Sequence, residues 1–509
     1  MLSDLSTTHL YALIALLPVF SLAYYVIQRA RHDYRIRNTG GVRAPSVGTN
    51  PFSGARTVIK CAQAQMRNDL LHYFDELFAR APQGSLSCVE VQIKPTQRYI
   101  ITKEPEQIKA ILATQFSDFG KGPLFNYLWR PFLGDSIFTT DKNLWHDSRS
   151  LIRPMFIKDR VSDLATFDRW ASALIAKLPP SGETVDIMNL LYRMTLDVTT
   201  DFLLGASVNS LENPQSEFAH AFGEVQRYQM LITTVGPLNV FIPRGRYKRG
   251  IAKIDQFVMP YIQQALSLPP DSLERLSNSD KNFTFLHSIT RYTRDPKILR
   301  DQIVAVLLAG RDTTAATLSW TFYELCNYPD KYQKLRNEII KTVGPDGTPT
   351  YEDLKNMTYL RHTLEEVLRL YPAVPYNLRS ALEDTTIPGA PGQPPIGVAQ
   401  GDVVVYSTLA MQRRRDLYPD VDENFEDPAL FSPERWENWT PKPWQYVPFN
   451  GGPRICVGQN FALTEMAYTL VRILQKYSRL EYRGDWGAQQ HDAEIVGKPS
   501  QGVAVALYE

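Results

Sequence analysis

The sequence predicts a mainly α-helical protein with a small β portion, set behind an N-terminal transmembrane helix. Three observations carry this. From Lys297 to Tyr328 the chain runs 32 residues without a proline, between Pro296 and Pro329, a helix of ~48 Å at 1.5 Å per residue. The run VEVQIKPTQRYIIT partly alternates and is β-branched, and residues 402–406 (DVVVY) read as another short strand. From His9 to Ile27 there is no Asp, Glu, Lys or Arg.

The uncharged run LYALIALLPVFSLAYYVI covers Leu10 to Ile27, just long enough to span a hydrocarbon layer. Tyr24 and Tyr25 fall where an interfacial aromatic belt belongs, and Arg29, Arg31, Arg35 and Arg37 place the following chain on the cytosolic side. A cleaved signal peptide is the rival reading. It lacks a basic stretch before the apolar run and a small-residue cleavage site after it. We therefore divide the chain into a membrane anchor (1–28), a basic Gly/Pro-rich neck (29–52) and a main body (53–509).

The body shows no interior linker, repeat or low-complexity tract, although 509 residues exceed what one small core needs. The hydrophobic fraction of 44% and charged fraction of 21% are ordinary for a globular protein. A net charge of +1 argues against nucleic acid as a partner. No Gly-rich phosphate loop of either common type is present. Four scattered cysteines, Cys61, Cys88, Cys326 and Cys456, are no disulfide framework and fit a reducing compartment. A second helix is expected from Tyr359 to Leu370, and irregular coil with short strands from Pro372 to Pro448.

The chemistry concentrates in the loop FNGGPRICVG, where Phe449, Gly452, Arg454, Cys456 and Gly458 are spaced F-x-x-G-x-R-x-C-x-G. An iron-binding thiolate needs a tight loop that approaches a flat cofactor, hence the glycines. It needs backbone N–H groups and a helix N-terminus to hold sulfur as an anion, and QNFALTEMAYTLVRILQKY supplies such a helix. A haem propionate needs a cation, and Arg454 can serve. A buried structural cysteine is the bland alternative, and five matched positions in ten outweigh it.

This loop resembles the haem-binding signature of the cytochrome P450 superfamily, and three other constellations resemble the family in order. Glu366 and Arg369 share a helix face at i and i+3, followed by LYPAVP and then by Phe431-Ser432-Pro433-Glu434-Arg435-Trp436. The resemblance makes Glu366, Arg369 and Arg435 a buried ion triad that fixes the cysteine loop. Ala309-Gly310-Arg311-Asp312-Thr313-Thr314 places residues that weaken a helix in the middle of the long one. A kink in which Thr bonds a carbonyl four residues back is the bland reading. The resemblance implies an oxygen-activation site, with the helix opened over the iron, Thr313 donating a hydrogen bond there and Asp312 feeding protons from solvent. Trp145 and Arg149 share a face at i and i+4, and together with Arg379 they match positions that contact haem propionates.

The resemblance covers nearly the whole chain after the neck. QFSDFGKG, GDSIFTTDKNLW, LLAGRDTTAATLSW and FNGGPRICVGQNFALTE look most like the fungal branch that hydroxylates n-alkanes and fatty acids at the chain end. Gln412 stands where that branch has His, and His146-Asp147 where it has Lys-His. Related filamentous-fungal enzymes also modify secondary metabolites. The resemblance implies the cytochrome P450 fold, haem b, a monooxygenase using O2, a lipophilic substrate and NADPH–cytochrome P450 reductase as electron donor, since this chain carries no flavin or nicotinamide motif. It also implies a single-pass protein of the endoplasmic reticulum, its catalytic domain cytosolic. Phe125, Tyr127, Leu128 and Trp129 are candidates for the apolar pocket. Two rivals stand beside this: an O2-independent haem-thiolate isomerase or dehydratase, which has less use for Asp312 and Thr313, and a non-catalytic haem- or lipid-binding protein.

Overall fold

A computed structural model describes residues 7–48, 51–81, 87–157, 162–279, 283–422 and 425–509. The chain forms two compact units. The first comprises residues 1–61, 74–122 and 377–407; the second comprises 62–73, 123–376 and 408–509.

The first unit is built on a six-stranded sheet with the neighbour order Ser46–Gly48, Cys88–Lys94, Gln97–Thr102, Val403–Tyr406, Asn377–Ala381, Phe119–Gly120. Both expected strand regions are here. The alternating run becomes a hairpin with Val91 opposite Tyr99, and Val403–Tyr406 lies parallel to its second strand. Part of the stretch expected as a neck joins β structure: Ser46–Gly48 pairs with Cys88–Lys94 in this sheet, and Val42 bridges to Ile396 of a separate two-stranded sheet. Gly41 is obligatory, because a Cβ there would lie 2.2 Å from the backbone nitrogen of Gly397.

A helix runs from Thr7 to Asn38 with Pro18 inside it. It contains the expected spanning segment and continues through the basic residues beyond. Pro18 removes a backbone donor there, and among the described residues no helix is long and apolar enough to cross a membrane. Its C-terminal end is tied to the sheet by buried charge. His32 Nε2 lies 2.9 Å from Asp402 Oδ1, and Asp402 also accepts from Arg98 Nε at 2.8 Å and from the Arg98 backbone N–H at 3.1 Å. Arg98 pairs in turn with Glu90. Burial pushes the Asp402 carboxyl up, but the His32 hydrogen bond and the Arg98 charge outweigh this and hold it below the usual carboxylate range.

The second unit is mainly helical. Its axis is the helix Pro296–Asn327, one residue earlier at each end than expected. Asp295 caps its N-terminus by accepting from the Lys297 N–H, and Pro329 opens the next helix. Beyond its first turns this helix is buried on nearly every side, which explains why the sequence there is apolar without a clear stripe. Ile187–Leu204 and Gln459–Lys476 pack against it. The remaining expected helix forms as Thr358–Leu370. Two small sheets complete the unit, one of Thr184–Asp186, Ala504–Tyr508 and Arg479–Tyr482, the other the hairpin His491–Ala493 with Gly497–Pro499.

Asp402→Asn keeps the side-chain shape but removes the anion shared by His32 and Arg98. It is expected to destabilise the first unit by ~3–5 kcal/mol. Amide exchange should speed up across residues 28–38 and stay unchanged across 459–476.

Candidate active site

The cysteine loop is a sequence of tight turns. Gly452 (φ +62°) and Asn450 (φ +63°) both take the left-handed conformation. The Cys456 N–H donates to the Phe449 carbonyl at 2.9 Å, and the Ile455 N–H to the Gly452 carbonyl at 3.0 Å. Gly451 is needed because a Cβ would sit 2.4 Å from the Trp444 ring. Gly458 caps the helix Gln459–Lys476, and its N–H points at the Cys456 sulfur. Burial pushes the Cys456 thiol up, while the Gly458 N–H and the Arg149 guanidinium pull it back towards the thiolate. All four cysteines are free thiols, and Cys456 alone among them is exposed. That sulfur is nonetheless surrounded by many protein atoms. An accessible thiol whose anion is helped by an N–H and a guanidinium against the cost of burial fits a ligand of haem iron.

Trp145, Arg149 and Arg454 gather beside this loop. Arg149 donates to the Ile455 carbonyl at 2.9 Å. Arg454 lies 4.7 Å above the Trp145 ring and donates to Asp141 Oδ1 at 2.7 Å and the Thr140 carbonyl at 2.9 Å. A cleft of ≈450 Å³ is lined by Trp145, His146, Arg149, Arg153, Gly452 and Pro453. Arg379 belongs to the first unit, where its buried guanidinium donates to the Leu378 carbonyl at 2.8 Å and lies over the Tyr406 ring. The pocket candidates divide: Trp129 is core, Phe125 and Leu128 pack against that core, and Tyr127 is 73% exposed.

The long helix stays regular through Ala309–Thr314. Gly310 has a packing reason that the sequence reading missed: a Cβ would lie 2.9 Å from Thr199 Oγ1 on the neighbouring helix Ile187–Leu204. Thr313 Oγ1 donates to the Ala309 carbonyl at 2.7 Å, and Thr317 and Thr321 do the same one and two turns on. Back-bonding is therefore a general habit of this helix. What sets the segment apart is exposure, since Ala309, Gly310 and Thr313 form one partly open face in a buried stretch. Asp312 is buried, with Oδ1 lacking a hydrogen-bond partner and Arg311 3.4 Å away. Burial raises its carboxyl pKa against the pull of Arg311 and Lys498.

The structure brings Glu366, Arg369 and Arg435 together. Arg369 Nε and Nη2 grip the Glu366 carboxylate at 2.7 and 2.8 Å, and Arg435 Nε reaches it at 3.2 Å. The Ser432 N–H (2.9 Å) and Trp436 Nε1 (3.0 Å) complete the ring. Burial pushes Glu366 up, but the two arginines hold its carboxyl below the ordinary range. Gln412 carries the hold onward. Fully buried, its amide donates to the carbonyls of Leu368 (3.1 Å) and Arg369 (2.9 Å), and its oxygen accepts the Val447 N–H at 2.9 Å. It thus clips the Glu366 helix to the chain that enters the cysteine loop. The sequence reading missed this role, though the departure from His at that position was its signal. His146 and Asp147 face solvent.

Gln412→Ala strands the buried Val447 N–H and should cost ~1–3 kcal/mol, seen as a lower Tm and faster haem loss. Glu366→Gln leaves two buried arginines without an anion and should cost ~3–5 kcal/mol. Because the folded Glu366 is held below its unfolded value, its contribution is complete above about pH 4.5 and is lost as pH falls through the folded value. Denaturation curves of the variant should lack that acid-sensitive component.

A family model described as Cytochrome P450 matches residues 60–502. The chain is 44% identical to cytochrome P450 monooxygenase pvhE of Talaromyces variabilis over 97% of this chain and 95% of that one. It is 39% identical to cytochrome P450 52A13 of Debaryomyces hansenii over 76% of this chain and 77% of that one. To cytochrome P450 52A1 of Candida tropicalis it is 39% identical, over 81% and 77%. A match across nearly the whole body, with relatives of this similarity, places the chain in the cytochrome P450 family, as a monooxygenase that uses haem with a cysteine thiolate on the iron.

Proposed function

We propose that this monooxygenase hydroxylates the chain-end carbon of a long-chain fatty acid or n-alkane, with Cys456 as the ligand of haem b. The observation that carries the ligand assignment is the accessible Cys456 sulfur inside the fold, with the Gly458 N–H and Arg149 both favouring its anion. The likeness to the chain-end hydroxylating branch supports the substrate.

When bound, haem supplies the activation of dioxygen and the transfer of one oxygen atom into a C–H bond. The chain supplies the rest. Phe449 and Gly458 hold the cysteine loop at its ends. Trp145, Arg149 and Arg454 provide an indole N–H and guanidinium donors for the haem carboxylates. Asp312, its carboxyl raised by burial, keeps a proton inside the fold and passes it to the Thr313 hydroxyl. Thr313 gives up its bond to the Ala309 carbonyl to donate that proton into the open face. Glu366, Arg369 and Arg435 keep the loop in place while the substrate comes and goes.

Family members draw on a redox partner, O2 and a lipophilic substrate. Here the electron donor is NADPH–cytochrome P450 reductase in the same membrane. Exposed Leu16, Leu17, Val19, Phe20, Leu22 and Val26 support a lipid-embedded anchor over residues 1–28, with the neck 29–52 and the haem-thiolate body 53–509 in the cytosol and the endoplasmic reticulum as the membrane.

Microsomes holding this protein and a fungal reductase, fed NADPH with a long-chain fatty acid or an n-alkane, should give a terminal alcohol or diacid by mass spectrometry. No NADPH-dependent product beside a normal thiolate CO spectrum would overturn the chain-end assignment and point to a polyketide or terpenoid substrate. Thr313→Ala should lower product per NADPH several-fold and release peroxide instead; unchanged coupling would remove Thr313 from the proton path.

A further inference from the structure

The long helix carries a second row of chemistry that monooxygenation does not use. Trp320 is seven residues beyond Thr313, so it lies two turns on, ~10 Å along the axis and on the same face. Its indole is 2% exposed and stacks on Tyr371, with centroids 3.9 Å apart and planes within 4°. Trp320 also meets Tyr323 edge-on at 5.5 Å. Tyr323 in turn meets Tyr482 at 5.4 Å and Trp486 at 4.9 Å, and those two are 4.1 Å apart. Trp486 is 40% exposed. Readily oxidised rings thus run in contact from the buried helix to the surface. A core needs aromatic packing, but it does not need a chain of only Trp and Tyr that ends in solvent.

We propose that Trp320, Tyr323, Tyr482 and Trp486 form a one-electron relay, with Tyr371 and Glu324 as its proton-coupled resting site. Tyr371 donates its phenolic hydrogen to Glu324 Oε1 at 2.6 Å, within direct proton-transfer reach. Burial pushes the Glu324 carboxyl up to about 7, so near neutrality it can both accept and return a proton. The other basic group beside this pair is ruled out: burial and the nearby Arg413 push the His491 imidazole down to about 3. Arg413 donates to the Leu370 carbonyl and lies 5.3 Å over the Tyr371 ring, a fixed cation that takes no proton from the phenol. Burial and Glu324 hold the Tyr371 phenol well above its ordinary pKa, so an electron can leave only together with its proton.

The balance is simple. Haem, when bound, would supply the oxidant, since O2 activated with no substrate leaves two oxidising equivalents unspent. Trp320 would give up one electron, and Tyr371 would refill it while its proton moves to Glu324 Oε1. Tyr371 is left as a neutral tyrosyl radical. An electron from a thiol in solution enters at Trp486, passes through Tyr482 or Tyr323 and Trp320 to Tyr371, and the proton returns from Glu324. The thiol releases its proton to water and leaves as a thiyl radical; the relay is restored, and a second pass with a second thiol removes the second oxidising equivalent, the two thiyl radicals coupling to a disulfide.

The relay rests on Thr313 marking the oxygen-activating face, so its test uses two oxidants. Haem-loaded full-length protein receives peroxide without substrate, or is illuminated with a ruthenium polypyridyl photosensitiser and persulfate. Radicals are read by freeze-quench electron paramagnetic resonance, and oxidised residues by peptide mass spectrometry. Both oxidants should give a tyrosyl radical that Tyr371→Phe abolishes and Glu324→Gln lowers several-fold, with oxidation products at Trp486. The Gln amide still accepts the Tyr371 hydrogen bond but takes no proton, so a purely structural role predicts no change. With peroxide, Tyr371→Phe should also bleach its haem several-fold faster. A radical from the photosensitiser alone supports the relay and counts against the reading of the Thr313 face. Equal radical yield in wild type, Tyr371→Phe and Glu324→Gln with the photosensitiser overturns the relay.

Discussion

The structure around the cysteine loop depends on one carboxylate. Glu366, fully buried, receives five donors on its two oxygens: two from Arg369, one from Arg435, the Ser432 N–H and the Trp436 indole. The donors left on the two arginines go to backbone carbonyls of Glu426, Asp427, Pro428 and Leu430. That stretch has little regular secondary structure, so its carbonyls need partners from side chains. Arginine supplies them because its planar fork serves an anion and several carbonyls at once. Gln412 then passes the constraint to Val447, two residues before Phe449. The cysteine is placed by a polar network where a sheet or helix would otherwise be required.

Much of this was legible in the sequence. The spacings E-x-x-R and F-x-x-G-x-R-x-C-x-G are set by local geometry, one turn of helix and one tight loop, so they survive as patterns. The long helix was legible from its bounding prolines, and the small sheet from β-branched alternation. Other features depend on partners far away in the chain. Gly310 is small because Thr199 presses on it, and Gly451 because Trp444 does. Gln412, where the resembled branch has His, is a clip within the fold. The Gly/Pro-rich composition of the neck does not show what it packs against. Yet Gly41 allows a close backbone approach, and buried His32 ties the helix before it to Asp402.

The long helix combines two demands that usually conflict. It must be buried all round to serve as the axis of its unit, and it must leave a face open beside Thr313. Back-bonded threonines reconcile these, because each hydroxyl is satisfied by its own helix and can release that bond without stranding a distant partner. Asp312 is the exception, a buried carboxyl with one oxygen that receives no hydrogen bond and lies 3.4 Å from Arg311. Such a group is costly unless it holds a proton or meets water, which agrees with the proposed proton donor beside Thr313.

The central claim is that the sulfur of Cys456, and no other thiol, is the iron ligand. The reduced carbon monoxide difference spectrum tests it on two proteins, Cys456→Ala and a triple variant with Cys61, Cys88 and Cys326 all replaced by Ser. The account predicts a thiolate-type spectrum in the triple variant and its loss in Cys456→Ala. A thiolate-type spectrum that survives in Cys456→Ala would contradict it.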